Sequence, residues 1–443
     1  MTTPDTLSRT QYRSNIIALV ADSSLFYMAM SFIGATTVLP ALLGTLTDSE
    51  LIIGVGSGIT RGAWLLPQLL VAGLVTRLAH RKKVIVGAAW VSRPLLLIIA
   101  LVIWRLAIPA PTLTLVVILA LLFVFFAMDA VVSVPWFDHL ARTISPQRRG
   151  MVIGLGQVIG GLGGIGTGAA VSYLLSVSSP WGYPGNYALV YAAGGVLLMF
   201  SAVAISFIAN PDCTPKDGTV APSLRETLAM LPAVVARDRA FRRMIAVQLL
   251  VGFVGVASAF YVLYATRELG FTLGDTGLFV SAQVSGSMIA GFLLGYIQNR
   301  LGPLAHIRLQ TVLAMAAPAL ALLAAPIARI DPGAVRWVYL ALYLTLGVYI
   351  GGGSWPFNNW LLEYAAETQR PMYIGLANTL SAATMLAPVL GGAVVAAISY
   401  PAVFALALIF CALALVLSFG LPSTRSSAVS STGARAPTEQ SQI

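Results

Sequence analysis

Twelve apolar runs of about 20 residues or more fill this chain, each long enough to cross roughly 30 Å of hydrocarbon at 1.5 Å per residue. They lie near 16–40, 52–76, 84–104, 112–137, 151–177, 187–209, 244–265, 276–297, 306–328, 335–358, 372–399 and 401–421. Backbone in lipid must satisfy its polar groups within the segment, so such runs fold as helices. Only 9% of the 443 residues are charged, against about a quarter in soluble domains. The chain therefore reads as an all-α membrane protein with twelve transmembrane helices. The first run follows Arg9 and Arg13 but is too long for a signal peptide and contains Asp22, so it is expected to be retained. Cys213 falls in a polar connection and Cys411 in the last run, so no disulfide framework is expected.

The formal charge of +10 raises the possibility of nucleic acid, and its distribution decides against it. Of the 26 Lys and Arg, 20 lie in the N-terminus, the even-numbered connections and the C-terminal tail, and four (Arg105, Arg267, Arg329, Arg336) in the odd-numbered ones. That asymmetry is the positive-inside signal of a multi-pass protein of the cell membrane with both termini cytoplasmic. The longest polar connection splits the runs six and six. The expected organisation is a cytoplasmic N-terminus (1–15), a six-helix bundle (16–209), a cytoplasmic linker (210–243), a second six-helix bundle (244–421) and a disordered cytoplasmic tail (422–443). Within the linker, Ser223 and Glu226 form a capping box ahead of an apolar stripe at Leu224, Leu228, Leu231 and Val235, which predicts a short amphipathic helix.

The two halves repeat each other. At an offset of 221, Pro135 aligns with Pro356, Trp136 with Phe357, and RGMVIGL (149–155) with RPMYIGL (370–376). At 222, Gly73 aligns with Gly295 and Arg61 with Gln283. Parallel six-helix repeats form a transporter layout. Between the second and third helix of each half stand the polar islands GLVTRLAHRKK (73–83) and GYIQNRLG (295–302). The second, through Gly295, Asn299, Arg300 and Gly302, resembles the cytoplasmic loop signature of the major facilitator superfamily. In the first copy Gly73, Arg81 and Lys82 match, whereas Arg77 stands at the acidic position and His80 at the second glycine. The resemblance covers essentially the whole chain. It implies two pseudo-symmetric six-helix bundles and transport by alternating access.

Glycines recur every fourth residue at Gly54, Gly58 and Gly62 and at Gly156, Gly160, Gly164 and Gly168, and Ser287, Gly291 and Gly295 continue the pattern. Small residues at that spacing let helices approach closely. In the family, helices 2, 5, 8 and 11 join the halves, and these stripes fall on three of them. The fifth helix also resembles the family's antiporter motif, with Gly161 in place of its proline and Ile165 in place of its last glycine, which favours efflux slightly. GLGGIG (161–166) matches a dinucleotide fingerprint in letters alone, since it lies inside an apolar run rather than between a strand and a helix.

Four ionisable groups lie inside the runs: Asp22, Arg61, Arg93 and Asp129. Each costs about 3 kcal/mol or more at a lipid-facing position in the bilayer centre, so each must be paired, hydrated or functional. Counted along the helices, Asp22, Asp129 and Arg93 sit about 9, 12 and 13 Å from the cytoplasmic ends and can form one proton-coupling cluster or a permanent ion pair. Arg61, about 20 Å in by the same count, needs another partner, and the alternatives for it are an anion contact and a structural bond.

The substrate cavity is expected to draw on Ser133 and Trp136 beside Asp129, Gln157, Gln248, Tyr261, Tyr264, Gln283, Ser354, Trp355, Asn358, Asn359 and Asn378, a lining suited to a small amphipathic organic molecule. The three histidines, His80, His139 and His306, lack metal-ligand spacing, and WFDH (136–139) is a helix end. No catalytic site, metal or cofactor is expected. The partners expected are a small-molecule substrate, the lipid bilayer and protons, with no nucleic acid, for a monomeric protein. The sequence thus favours a proton-coupled secondary transporter of a small organic solute. Its alternatives are an importer or uniporter of an organic anion through Arg61, and a non-transporting membrane sensor.

Overall fold

The computed structural model describes residues 8–75, 81–209, 236–353, 355–366 and 369–424. Every regular element in them is helical. The spans, numbered here 1 to 12 in chain order, are Arg9–Leu46, Glu50–Val75, Lys82–Leu106, Pro111–Thr143, Arg148–Leu175, Gly185–Ser206, Arg239–Glu268, Asp275–Leu301, Pro303–Ile330, Ala334–Tyr364, Met372–Ala397 and Tyr400–Ser418. Eleven of these are long and apolar enough to cross a membrane by length and composition. Span 2 is a single helix of 26 residues, about 39 Å at 1.5 Å per residue. The linker helix expected at 223–235, together with Arg77, His80 and Ser354, lies outside the described residues.

Several spans are broken, and the sequence shows why. Ser8 caps span 1 by accepting from the Gln11 amide (3.2 Å), and Gln11 accepts in return from the Ser8 amide (2.9 Å). The first helix of that span stops at Gly34, whose φ of +49° is a left-handed turn. A Cβ there would meet Thr37 Oγ1 at 2.5 Å. Span 3 is interrupted between Ser92 and Leu95, where Pro94 cannot continue the helical ladder. Arg93 sits at that joint. Spans 7 and 11 each pass through a 3-10 segment, at Val254–Ala257 and Ala382–Leu386.

Spans 1–6 and 7–12 form the two bundles, and the joint between them is one-sided. The face where span 1 begins and span 12 ends is called the terminal face here, and the other the far face. Toward the far face one continuous apolar core joins both bundles, from Phe32, Leu42, Ile103 and Phe125 to Tyr261, Phe279, Tyr343 and Phe404. Toward the terminal face the core splits into separate clusters that do not cross between the bundles, two of them large. One of these two holds Leu19, Ile85, Val132 and Ile205, and the other Phe241, Ile307, Trp360 and Leu376.

Glycines set the approach of the bundles at the far side. A Cβ on Gly168 would lie 2.5 Å from the Gly277 carbonyl, one on Gly161 2.6 Å from Met288 Sδ, and one on Gly54 2.3 Å from the Pro388 carbonyl. Spans 5 and 8 and spans 2 and 11 therefore meet backbone to backbone, as their small residues predict. The span 8 stripe behaves differently from the expectation. Ser287 Oγ donates to Gly347 O within its own bundle (2.9 Å), and a Cβ on Gly291 or Gly295 meets nothing within 4 Å. Residues of span 8 that do reach the other bundle include Gly277, Ser281, Val284 and Met288.

At the far rim a polar clasp crosses the joint. Glu50 at the start of span 2 pairs with Arg267 at the end of span 7. The Tyr400 hydroxyl of span 12 donates to the same Glu50 oxygen (2.6 Å) and accepts from Arg267 (3.3 Å). Nearby, Thr36, freed by the break in span 1, donates to Gln283 (2.5 Å). Among the described residues the bundles are thus fastened at the far face, while their buried cores are separate toward the terminal face.

Candidate functional site

A cavity of about 400 Å³ opens among spans 1 to 4. Helical spacing brings its lining to one place. Span 1 contributes two adjacent stripes, Asp22, Phe26 and Met30 beside Ser23 and Tyr27; span 2 adds Thr60, Arg61 and Trp64; and span 4 adds Phe126, Asp129, Val132, Ser133, Trp136 and Phe137. Arg93 enters from the joint in span 3.

The charged groups are tightly bonded. Arg93 Nη1 pairs with Asp129 Oδ1 at 2.9 Å, with side chains 3% and 10% exposed. The guanidinium of Arg93 also lies over the Phe26 ring, 4.6 Å from its centroid. Asp129 accepts in addition from the Trp64 indole. Asp22 is held by neutral donors: Ser201 Oγ at 2.6 Å and Trp136 Nε1 at 3.0 Å. It remains within electrostatic reach of Arg93 and Asp129. Each carboxylate is therefore tied to an indole N–H whose ring lines the cavity, Trp136 for Asp22 and Trp64 for Asp129.

The predicted cluster of Asp22, Arg93 and Asp129 is brought together, and Arg61 joins the same cavity. Sharing the lining does not pair it with the carboxylates: neither Asp22 nor Asp129 has Arg61 among its electrostatic partners, as its greater depth implies. Arg61 is exposed to the cavity, and no salt bridge among the described residues includes it. Its neighbour is the Tyr349 hydroxyl of span 10, which donates to Val251 O (2.7 Å) and accepts from Arg61 across the gap between the bundles.

Of the other expected lining residues, Ser133 and Trp136 face the cavity, and Gln157 reaches its wall by donating to the Tyr27 hydroxyl (3.3 Å). Tyr261 and Tyr264 pack into the core against Phe404, with ring centroids 5.2 and 5.3 Å away. Gln283 is taken up by Thr36 at the far side. Gln248 is buried with its Oε1 unbonded. Trp355 and Asn378 are exposed, and Asn358 and Asn359 are half-buried on span 10. Sequence reasoning missed Phe26, Tyr27, Trp64, Ser201 and Tyr349. The spacing of Phe26 four residues after Asp22, and of Trp64 three after Arg61, is the signal that could have found two of them.

The sequence profile of the Major Facilitator Superfamily matches residues 22–383. The chain belongs to that superfamily. Solved structures agree at the level of fold. A bacterial homologue of the human lysosomal transporter Spinster, inward-facing and unoccupied, is similar with a TM-score of 0.62 at 14% identity, covering 95% of this chain and 99% of its own. The D-xylose-proton symporter gives 0.65 at 14% identity, covering 93% and 98%. The nucleoside transporter NupG gives 0.62 at 13% identity, covering 92% and 98%. No curated protein sequence matches the chain. As a superfamily member it is a multi-pass membrane protein of a transporter family.

The superfamily's second loop signature is well formed here. Gly302 adopts φ +88° at the end of span 8, a backbone that favours glycine, and Arg300 stacks on Tyr296 at 4.9 Å. In the first copy Gly73 lies near the end of span 2, and Arg81 and Lys82 stand at the start of the next helix. The glycines of the antiporter-like stretch are occupied in packing. Gly156 lies against Ser23, Gly160 against Ser24 and Tyr27, and Gly164 against Ser31.

Proposed function

We propose that this protein is a proton-coupled secondary transporter of a small organic solute, working by alternating access with Asp22, Arg93 and Asp129 as the coupling group. The observation that carries the reading is that two carboxylates and an arginine, all buried, line the same cavity as six aromatic rings. Charges withdrawn from water in a membrane are costly unless paired or used. Here the pairs face a space of solute size, so access to that space changes their solvation and their proton occupancy.

The fastened far face and divided terminal face supply the two-state element that alternating access requires. With 20 of the 26 basic residues in the N-terminus, the even-numbered connections and the C-terminal tail, the positive-inside rule makes the terminal side the cytoplasmic one, and the conformation described is then the one open to the cytoplasm. The glycine pattern of span 5, packed against span 1, favours efflux slightly.

The test begins with a thermal-shift screen of purified protein against metabolites and drugs, since ligands of the folded state raise apparent stability. Hits then enter proteoliposomes under an imposed pH gradient. Solute-dependent proton movement is expected, reduced in Asp22→Asn and in Asp129→Asn. Unchanged coupled flux in both variants removes these carboxylates from the mechanism. Binding with no movement of solute favours a sensor instead.

A further inference from the structure

We infer that the load carried through this cavity is an aromatic monoanion, such as an aryl carboxylate, together with one proton. The inference rests on the proton-coupled reading above and adds the charge and chemistry of the solute. Among the described residues four formally charged side chains line the cavity: Asp22 and Asp129 against Arg61 and Arg93. With all four ionised they sum to zero. Their bonding is unequal.

Asp129 and Arg93 neutralise one another directly at 2.9 Å. Asp22 is bonded by the neutral donors Ser201 and Trp136, so both of its oxygens are turned to protein donors and neither is presented to a cationic solute. Arg61 faces the cavity with the Tyr349 hydroxyl as its neighbour and no carboxylate paired to it among the described residues. Besides these groups, the only titratable side chain in the lining among the described residues is Tyr27. The charge that the cavity offers a solute is therefore positive, and it sits three residues from Trp64 in a wall of aromatic rings. A guanidinium holds a carboxylate by a bidentate pair, and aryl walls suit a flat apolar body.

Charge balance then fixes the stoichiometry. An anion alone leaves the closed cavity at −1, which is costly in a low-dielectric interior. A proton taken from water onto an Asp22 oxygen converts the carboxylate to the acid and restores neutrality. Release of the proton and the anion on the other side returns the protein to its starting charge. One proton and one monoanion cross, and no bond is made or broken apart from the O–H bond of Asp22. A cationic solute, by contrast, meets Arg61 head-on.

The test uses three matched probes: 2-naphthoate, 2-naphthamide and 2-naphthylmethylamine. Binding to the purified full-length protein is measured by calorimetry at neutral pH in two buffers of different ionisation enthalpy, which counts protons. Naphthoate is expected to bind at least about tenfold more tightly than either control and to lose that advantage in Arg61→Gln, the scale of a hydrogen bond to a charged group. Arg61→Lys is expected to recover part of it. One proton is expected to be taken up per naphthoate in the wild type and none in Asp22→Asn. Melting curves identify any variant that fails to fold, in which case Arg61→Lys against wild type carries the comparison.

Equal binding of amide and acid, undiminished naphthoate binding in Arg61→Gln, or no naphthoate binding at all overturns the anion assignment, and proton movement with a neutral solute in proteoliposomes leaves the coupling reading intact. Arg61-dependent binding without proton uptake overturns the joint load through that coupling reading instead.

Discussion

Asp129 and Arg93 are nearly excluded from solvent, and a buried pair of this kind is strongly destabilising to break but not strongly stabilising to keep. Asp129→Ala is therefore expected to lower stability by about 3–5 kcal/mol, because Arg93 is left buried without its counter-ion. The double variant Arg93→Met with Asp129→Leu is expected to recover most of that loss. Thermal unfolding in detergent checks both, and a double variant as unstable as the single one rejects the argument. At this scale the charged members of the site were legible in the sequence, because an ionisable residue inside an apolar run has few places to hide. Ser201, Trp64 and Tyr349 were not. They are ordinary residues of membrane helices, and periodicity along one helix says nothing about which neighbouring helix a side chain touches. The pairing of Asp22 with Ser201, 179 positions apart, is a property of the bundle alone.

Helices that meet without side chains between them are intolerant of added volume. A Cβ on Gly347 would lie 1.9 Å from the Gln283 carbonyl, whereas one on Gly291 meets nothing within 4 Å. Gly347→Ala is expected to cost about 1–3 kcal/mol through overpacking of spans 8 and 10. Gly291→Ala is expected to stay within about 1 kcal/mol of wild type or to gain slightly from helix propensity. Comparing the two melting temperatures in one detergent tests the pair, and an equal loss in both removes the packing explanation. Gly302, at φ +88°, belongs to a different class. Gly302→Ala is strained by its backbone whatever the space, at about 1–3 kcal/mol, with the effect confined to the turn between spans 8 and 9.

For the whole molecule, the repeat of Gly73 at Gly295 and of RGMVIGL at RPMYIGL made the two-bundle layout legible, since only a duplicated six-helix unit keeps such offsets. What the repeat could not show is which end of the joint is shut, because both access states have the same helices in the same order. The clasp of Glu50, Arg267 and Tyr400 was hidden for the same reason. Arg267 looks like any loop cation until the far rim is assembled. Its ion pair is partly exposed, with side chains 30% and 11% accessible, so its contribution is modest, about 1 kcal/mol. That still shifts a two-state equilibrium roughly fivefold. Glu50→Gln is expected to raise the population open at the far face by about that factor. Spin labels at Val177 and Ile330, which are 92% and 86% exposed on different bundles, report it as a longer-distance component, and an unchanged distance distribution discards the clasp as a gate.

The vacant space beside Gly291 and Gly295 has a practical use. If the bundles rock, this is where the stroke ends, and a bulky residue placed there acts as a doorstop. Gly295→Trp is expected to hold the molecule in a single posture, with ligand admitted from one side only. Should that variant still shuttle solute at the wild-type rate, the terminal ends of spans 5 and 8 do not come together during the cycle.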